Sequence, residues 1–267
     1  MALTTEEQAL IDSLDFDRRV CEMLKRNTSG ALERVTAYTA EYEQMPGEGL
    51  SIAVERQGLD TLISLLRAEL TPLGYQVFWS EIRKANGLKK SEEIVVLRTA
   101  DHYSIIEIRH PSGANYDVST NDLMDRLKGW EASCQFQIVG AASSWVAIQF
   151  DTLPENICRL AEEIYQFCPD TVDQGVGLTR ESDDPETFEA ARRLCPQLSD
   201  EAQQKIDKRH AQLQAMDMPP GLRQMLNSGG FDTSTDLPGN VPADADMGIR
   251  LLAYDLKQSK YLFLWWD

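Results

Sequence analysis

The chain has 267 residues, 42% of them hydrophobic and 8% aromatic, which suits a folded protein with a substantial core and not a disordered chain. Its 26 Lys and Arg face 43 Asp and Glu, a formal net charge of −17 that argues against direct contact with a nucleic-acid backbone. No apolar run reaches the ~20 residues of a membrane span, and Met1-Ala2-Leu3-Thr4-Thr5-Glu6-Glu7 lacks the basic and apolar regions of a signal peptide.

Five cysteines, at 21, 134, 158, 168 and 195, are odd in number, scattered and never in CxxC spacing. They read as reduced thiols of a cytoplasmic protein, mostly small core residues, and not as a disulfide frame or zinc site. The acidic excess is uneven. Residues 151–190 hold eleven acids and two bases, or −9. This is either a solubility device or a surface that steers a basic partner.

In chain order, residues 4–27 read as a helix with capping-box spacing at Thr4 and Glu7. Ala31, Val35, Tyr38 and Tyr42 recur at steps of 4, 3 and 4 and predict a second helix ending at Met45-Pro46-Gly47. The two make an expected N-terminal helical hairpin over 1–48, followed by a main domain over 49–267. Leu50–Val54 is a short strand, and Leu59, Leu62, Ile63, Leu66 and Leu70 mark a strongly amphipathic helix. Residues 75–79 and 94–97 read as strands, with a loop between them at 84–93. His102 and His110 lack the further ligands that a metal needs. Ser119 or Thr120 caps a helix carrying Leu123, Leu127, Trp130 and Cys134. Residues 136–139 and 145–150 form a hairpin. Pro154 then sits in the first turn of a helix with Ile157, Leu160, Ala161, Ile164 and Cys168 on one stripe.

Beyond Gly177 the character changes. Residues 185–194 and 199–216 read as polar helices, the second with a thin stripe of Ala202, Ile206 and Leu213 that anchors it weakly. Residues 227–248 form a long loop. Ile249, Leu252, Ala253 and Leu256 lie on a short helix, and a terminal strand over 261–266, apolar on both alternations, is expected to be covered on both faces.

Chemistry concentrates in Phe167-Cys168-Pro169-Asp170-Thr171-Val172-Asp173-Gln174-Gly175-Val176-Gly177 and in Trp265-Trp266-Asp267. Cys168 is the obvious nucleophile, yet a helix C-terminus and two neighbouring carboxylates oppose its thiolate, so a buried structural role is favoured. Asp170 and Asp173 are either an acid/base pair or, in the favoured reading, turn residues with Asp170 as an N-cap; Pro169, Gly175 and Gly177 shape the turn. Gly175-Val176-Gly177 lacks the context of a dinucleotide loop, and no P-loop, GxSxG or HExxH is present. Asp232-Thr233-Ser234-Thr235-Asp236 fails as a calcium loop, with Leu237 and Ala243 where Gly and Glu are needed. Neither a cofactor nor a metal is expected.

Gly113-Ala114-Asn115-Tyr116 with Thr120, the Trp130 helix, the run from Glu163 to Gly177 and the ending Leu262–Asp267 together resemble the bacterial family of domains of unknown function 4253. The resemblance covers roughly 94–177 and 249–267, and more loosely 50–80. It implies a fold and motif positions, and no activity. Relative to that pattern, about 70 residues, 178–247, are an insertion. In size and acidity the chain is similar to immunity proteins that accompany secreted toxins, by analogy.

The element order predicts an α+β domain with a mostly antiparallel sheet and helices packed on it; a ferredoxin-like core is one arrangement that the order allows. The first functional expectation is a cytoplasmic immunity protein that binds a basic toxin encoded by an adjacent gene through Asp183, Asp184, Glu186, Glu189, Asp232 and Asp236. The second is an enzyme built from Asp170, Asp173, Gln174, Cys168 and Asn115 against Trp265 and Trp266. The third is a scaffold or regulatory module.

Overall fold

A computed structural model describes residues 3–83, 90–176, 185–215 and 245–266. The fold is α+β, with a seven-stranded, mostly antiparallel sheet in the order β1-β2-β4-β3-β5-β6-β7. The strands are β1 Leu32–Tyr38, β2 Gln44–Val54, β3 Gln76–Arg83, β4 Lys90–Leu97, β5 Gln135–Ala142, β6 Trp145–Thr152 and β7 Tyr261–Trp265. The chain divides into two compact units, one of residues 1–129 and 136–149, the other of 130–135 and 150–267.

Unit 1 begins with two helices, α1 (Thr5–Ser13) and α2 (Arg18–Asn27), where one helix was expected. Asp15 takes a left-handed φ of 52°, and Asp17 caps α2 by accepting the Arg19 N–H. Short carboxylates compete with the helix for backbone donors, so the chain breaks here. The capping box of Thr4 and Glu7 is formed in both directions.

The second helix of the expected hairpin is absent. Its residues form β1, a turn and the start of β2. The 4-3-4 spacing coincides with a strand rich in β-branched and aromatic residues, whose preference for a pleated surface prevails. Thr39 organises the turn, its hydroxyl accepting the N–H groups of Glu41 and Glu43.

The core of unit 1 follows the predicted periodicities. α3 (Leu59–Leu70) buries Leu59, Ile63, Leu66 and Leu70, and Ile94–Leu97 of β4 is buried on both faces. β4 reaches back to Lys90, further than the sequence suggested. The apolar segment between His102 and His110 is a short helix, α4 (Ser104–Arg109). α5 (Thr120–Glu131) starts at Ser119, whose hydroxyl accepts the Asp122 N–H while the Asp122 carboxylate accepts the Ser119 N–H.

The parallel join of β3 to β5 has one registered pair, Trp79 opposite Gly140. A Cβ on Gly140 would lie 2.5 Å from the Trp79 indole nitrogen, so only glycine allows this approach. Side chains complete the seam. Arg67 donates to the carbonyls of Val77 (2.7 Å) and Ile138 (3.2 Å), Ser80 donates to Ala141 O (2.7 Å), and His102 Nδ1 accepts the Ile138 N–H (3.2 Å).

Unit 2 is built on α6 (Ile157–Phe167), α7 (Pro185–Leu194), α8 (Asp200–Ala215) and α9 (Ala245–Ser259). Asn156 caps α6, accepting the Arg159 N–H, so Pro154 precedes the helix instead of sitting in its first turn. α9 is longer than predicted and buries eight of its 15 residues, from Ala245 to Leu256, with its charged residues Asp246, Arg250, Asp255 and Lys257 outside that set. β7 departs from expectation. Leu262, Leu264 and the following Trp266 are buried, whereas Tyr261 is 38% exposed and Phe263 and Trp265 are half-buried. It closes the strand order, so one face carries the core and the other is only partly covered.

Candidate functional site

The motif of residues 167–177 emerges from α6 and forms a single π-helical turn, Thr171–Val176. The turn opens on the carbonyls of Cys168 and Pro169: Thr171 N–H donates to Cys168 O, and the N–H groups of Val172 and Asp173 donate to Pro169 O. Asp170 directly precedes Thr171, the first residue of the turn. Asp170 is wholly buried and Asp173 is 5% exposed. Gly175 is half-buried; Gly177, Asp267 and the Gln174 side chain lie outside the described residues.

Cys168 caps α6 and is wholly buried, and its thiol donates to Trp265 O at 3.0 Å. Burial pushes the thiol up to about 11, with the Asp170 charge adding to it against the hydrogen bonds of Thr171 and Trp265. At neutral pH it is a donor, not a nucleophile. Thr171 stands beside it, its one hydroxyl proton shared between Cys168 Sγ (3.2 Å) and Phe263 O (3.4 Å).

Phe263 and Trp265 are two residues apart on β7, so their carbonyls point to the same edge of the strand. A strand at the end of a sheet presents such groups as a template for another chain. Here a thiol and a hydroxyl of the motif cover them. The co-occurrence of the CPDT run with the terminal WWD thus has a physical reason: one end of the motif caps the edge of the strand that carries the other. α9 presses on the same turn. A Cβ on Gly248 would lie 2.4 Å from Val172 Cγ1.

Aromatic rings extend the packing, with Phe167 edge-on to Trp130 (6.2 Å) and to Trp266 (5.7 Å). Trp130 Nε1 donates to Glu163 (3.2 Å). The last enzymatic candidate, Asn115, is an exposed residue of a short 3-10 turn, Ala114–Tyr116, in unit 1.

Of the expected partner contacts, Glu186 and Glu189 are exposed on α7, the latter 3.3 Å from Arg192. Asp183, Asp184, Asp232 and Asp236 lie outside the described residues. The local charge count needs revision. Glu162, Asp170 and Asp173 are buried, so three of the eleven acids do not face solvent. Glu162 holds α8 by accepting both the N–H (2.8 Å) and the hydroxyl (2.7 Å) of Ser199. Together with buried Ala202 and Ile206, this anchors a helix whose thin stripe suggested weak attachment.

Two features escaped the sequence. Cys158 and Cys195 form a disulfide across 37 residues of chain, which overturns the reading of all five cysteines as reduced thiols. Spacing gave no signal, because α6 and α7 bring the two together only in three dimensions. Cys21, Cys134 and Cys168 are free and buried. Beside the disulfide lies a polar cleft of about 440 Å³, lined among others by Asn156, Cys158, Arg159, Glu162 and Ser199. Among the described residues no three His, Cys, Asp or Glu stand together as a metal site, and no helix is long and apolar enough to cross a membrane.

Comparison with known families matches residues 93–218 to a domain of unknown function, DUF4253. The match takes in α7 and α8, which the sequence reading placed in an insertion, and stops before the terminal strand. No curated protein and no solved structure matches. The chain is thus similar to the DUF4253 family over residues 93–218, a little under half of its length.

Proposed function

We propose that the protein is a cytoplasmic interaction module, most concretely an immunity protein that neutralises a basic secreted toxin by direct binding. The observation that carries this reading is the use made of the motif. Cys168, Asp170 and Asp173 are buried in the turn, and the thiol is spent on a β7 carbonyl. Glu186 and Glu189 are exposed on α7, where their charge would attract a basic surface. The match to a domain family over this same stretch is compatible with a binding module and names no partner.

The test is co-expression with the product of the adjacent gene. A complex that survives purification, restores growth, and is lost in the double variant Glu186→Lys, Glu189→Lys supports the proposal. Failure to bind or to rescue growth would refute it; a stable complex with a non-toxic partner would instead favour a scaffold or regulatory module.

A second reading, an enzyme using Asp170, Asp173 and Gln174, has one observation in its favour: single π-turns recur at functional sites, and this one holds buried Asp173 and directly follows buried Asp170. Asp173→Ala separates the two. Loss of function at an unchanged melting temperature supports the enzyme, whereas a large drop in melting temperature supports a structural carboxylate.

A further inference from the structure

The disulfide joins two unlike cysteines. Cys158 is the second residue of α6, part-exposed and lining the cleft of about 440 Å³; Cys195 is wholly buried behind the last turn of α7. We propose that Cys158–Cys195 is a thiol–disulfide exchange site, opened from the cleft by a dithiol reductant and closed again when the Cys158 thiolate attacks the disulfide form of that same reductant and Cys195 resolves the mixed disulfide.

Access selects the sulfur. A thiolate entering the cleft meets Cys158, because Cys195 has no exposed surface. Polarity points the same way. The first turn of α6 carries the positive end of its macrodipole, and Arg159 follows directly, both of which favour a thiolate at Cys158. Cys195 sits at the opposite kind of helix end. The carboxylates nearby oppose this only in part. Glu162 is committed to Ser199, and Glu163 and Glu201 are paired with Arg159 at 3.0 and 3.2 Å.

The exchange balances. A thiolate of the dithiol attacks Cys158 Sγ, the Cys158–Cys195 bond breaks, and Cys195 leaves and takes a proton. The second thiol then attacks its partner sulfur in the mixed disulfide, the reductant closes on itself, and Cys158 leaves as a thiolate. Two electrons pass from the dithiol to the pair; of the two protons the dithiol gives up, Cys195 takes one and solvent takes the other, leaving the Cys158 thiolate. α7 and α8 keep other attachments when the bond opens, through Glu162 to Ser199 and through Arg250, which donates to Cys195 O. Opening therefore loosens this helical pair without unfolding the unit. The inference is independent of the partner proposed above.

The experiment titrates the full-length protein, purified without reductant, with dithiothreitol in native buffer and traps thiols with a maleimide. Two thiols, at Cys158 and Cys195, should appear while Cys21, Cys134 and Cys168 stay blocked and the circular dichroism is unchanged. Cleavage by a protease within α7 and α8 should then rise by about tenfold. In Cys195→Ser, Cys158 should react about tenfold faster than the three buried cysteines. Five free thiols before any reductant, or thiol release only on denaturation, would overturn the proposal. If Cys195→Ser does not fold, the wild-type titration decides alone.

Discussion

Unit 1 and unit 2 both contain backbone groups that strand pairing leaves over, and they satisfy them with different chemistry. Along β1 in unit 1 the work falls to buried ion pairs. Glu7, paired with Lys25 at 2.8 Å, accepts the Leu32 N–H at the start of β1 (3.0 Å), and Lys25 donates to Gly30 O (2.9 Å). Farther along β1, Thr36 stands opposite Pro46, which has no N–H to give. Arg109 donates to the Thr36 carbonyl instead, at 2.8 Å, while its other arm pairs with Glu93, both side chains 1% exposed. In unit 2 a neutral thiol and a neutral hydroxyl cover the carbonyls of β7. Charged caps are strong but tie stability to pH and to the presence of both partners; neutral caps are weaker and indifferent to pH near neutrality.

The largest effect should come from breaking the deepest pair. Arg109→Met leaves Glu93 buried without its cation and Thr36 without its donor, and should cost about 3–5 kcal/mol in urea denaturation. Adding Glu93→Gln should recover part of that loss. Burial pushes the Glu93 carboxyl up, against the pull of Arg109 and Ser51. A carboxyl raised on folding makes the folded state less favourable as pH rises, so Arg109→Met should regain stability on acidification. A loss below about 1 kcal/mol would show that the pair does not support β1.

Glu7 has the opposite sign. Burial alone would raise its carboxyl, but Lys25 and the N–H groups of Leu32 and Thr4 outweigh it and hold it at about 2, against 4.5 when free. Its contribution is fully present above the unfolded value and is lost as pH falls from 4.5 towards about 2. At about 1.4 kcal/mol per unit, Glu7→Gln should cost roughly 3 kcal/mol at neutral pH. The difference from wild type should vanish near pH 2; a difference independent of pH would remove Glu7 from this role.

These contrasts also mark what a single sequence can reveal. The amphipathic Leu59–Leu70 helix, the buried Ile94–Leu97 strand, the hairpin around Ser143 and the two polar helices after 185 were legible, because each carries its own periodicity or punctuation. The stretch 30–45 was not. Its apolar spacing fits a helix, and only pairing with β2 decides for the strand. The motif at 167–177 could be found by composition, but its job could not, since the carbonyls it covers lie 92 and 97 residues away. Charge counting failed for a related reason: Glu162, Asp170 and Asp173 are numerically acidic surface and physically interior. The disulfide left no local trace at all.

A smaller effect tests how closely the turn is held. Alanine at Gly248 would favour α9 by up to about 1 kcal/mol on helix propensity alone. Its Cβ, however, would meet Val172 Cγ1 at 2.4 Å, and Val172 is stiff and 1% exposed. Overpacking should win, at about 1–3 kcal/mol. Val172→Ala in the same chain should relieve the clash, so the double variant should lose less than the sum of the single ones. A stabilised Gly248→Ala would mean that α9 does not clamp the turn.

The smallest effect bears most directly on the neutral cap. Cys168→Ala removes the donor to Trp265 O and should cost about 1–2 kcal/mol, whereas Cys168→Ser keeps a donor and should cost less. Stability alone cannot separate a lost cap from a lost sulfur atom, because either variant also shrinks a buried side chain. The edge provides the second readout. If the thiol shields β7, Cys168→Ala should self-associate at concentrations where wild type and Cys168→Ser stay monomeric, as measured by light scattering. Equal association in the two variants would leave Cys168 as a packing residue only. The contrast with unit 1 would then rest on Thr171, whose hydroxyl reaches the neighbouring carbonyl at 3.4 Å.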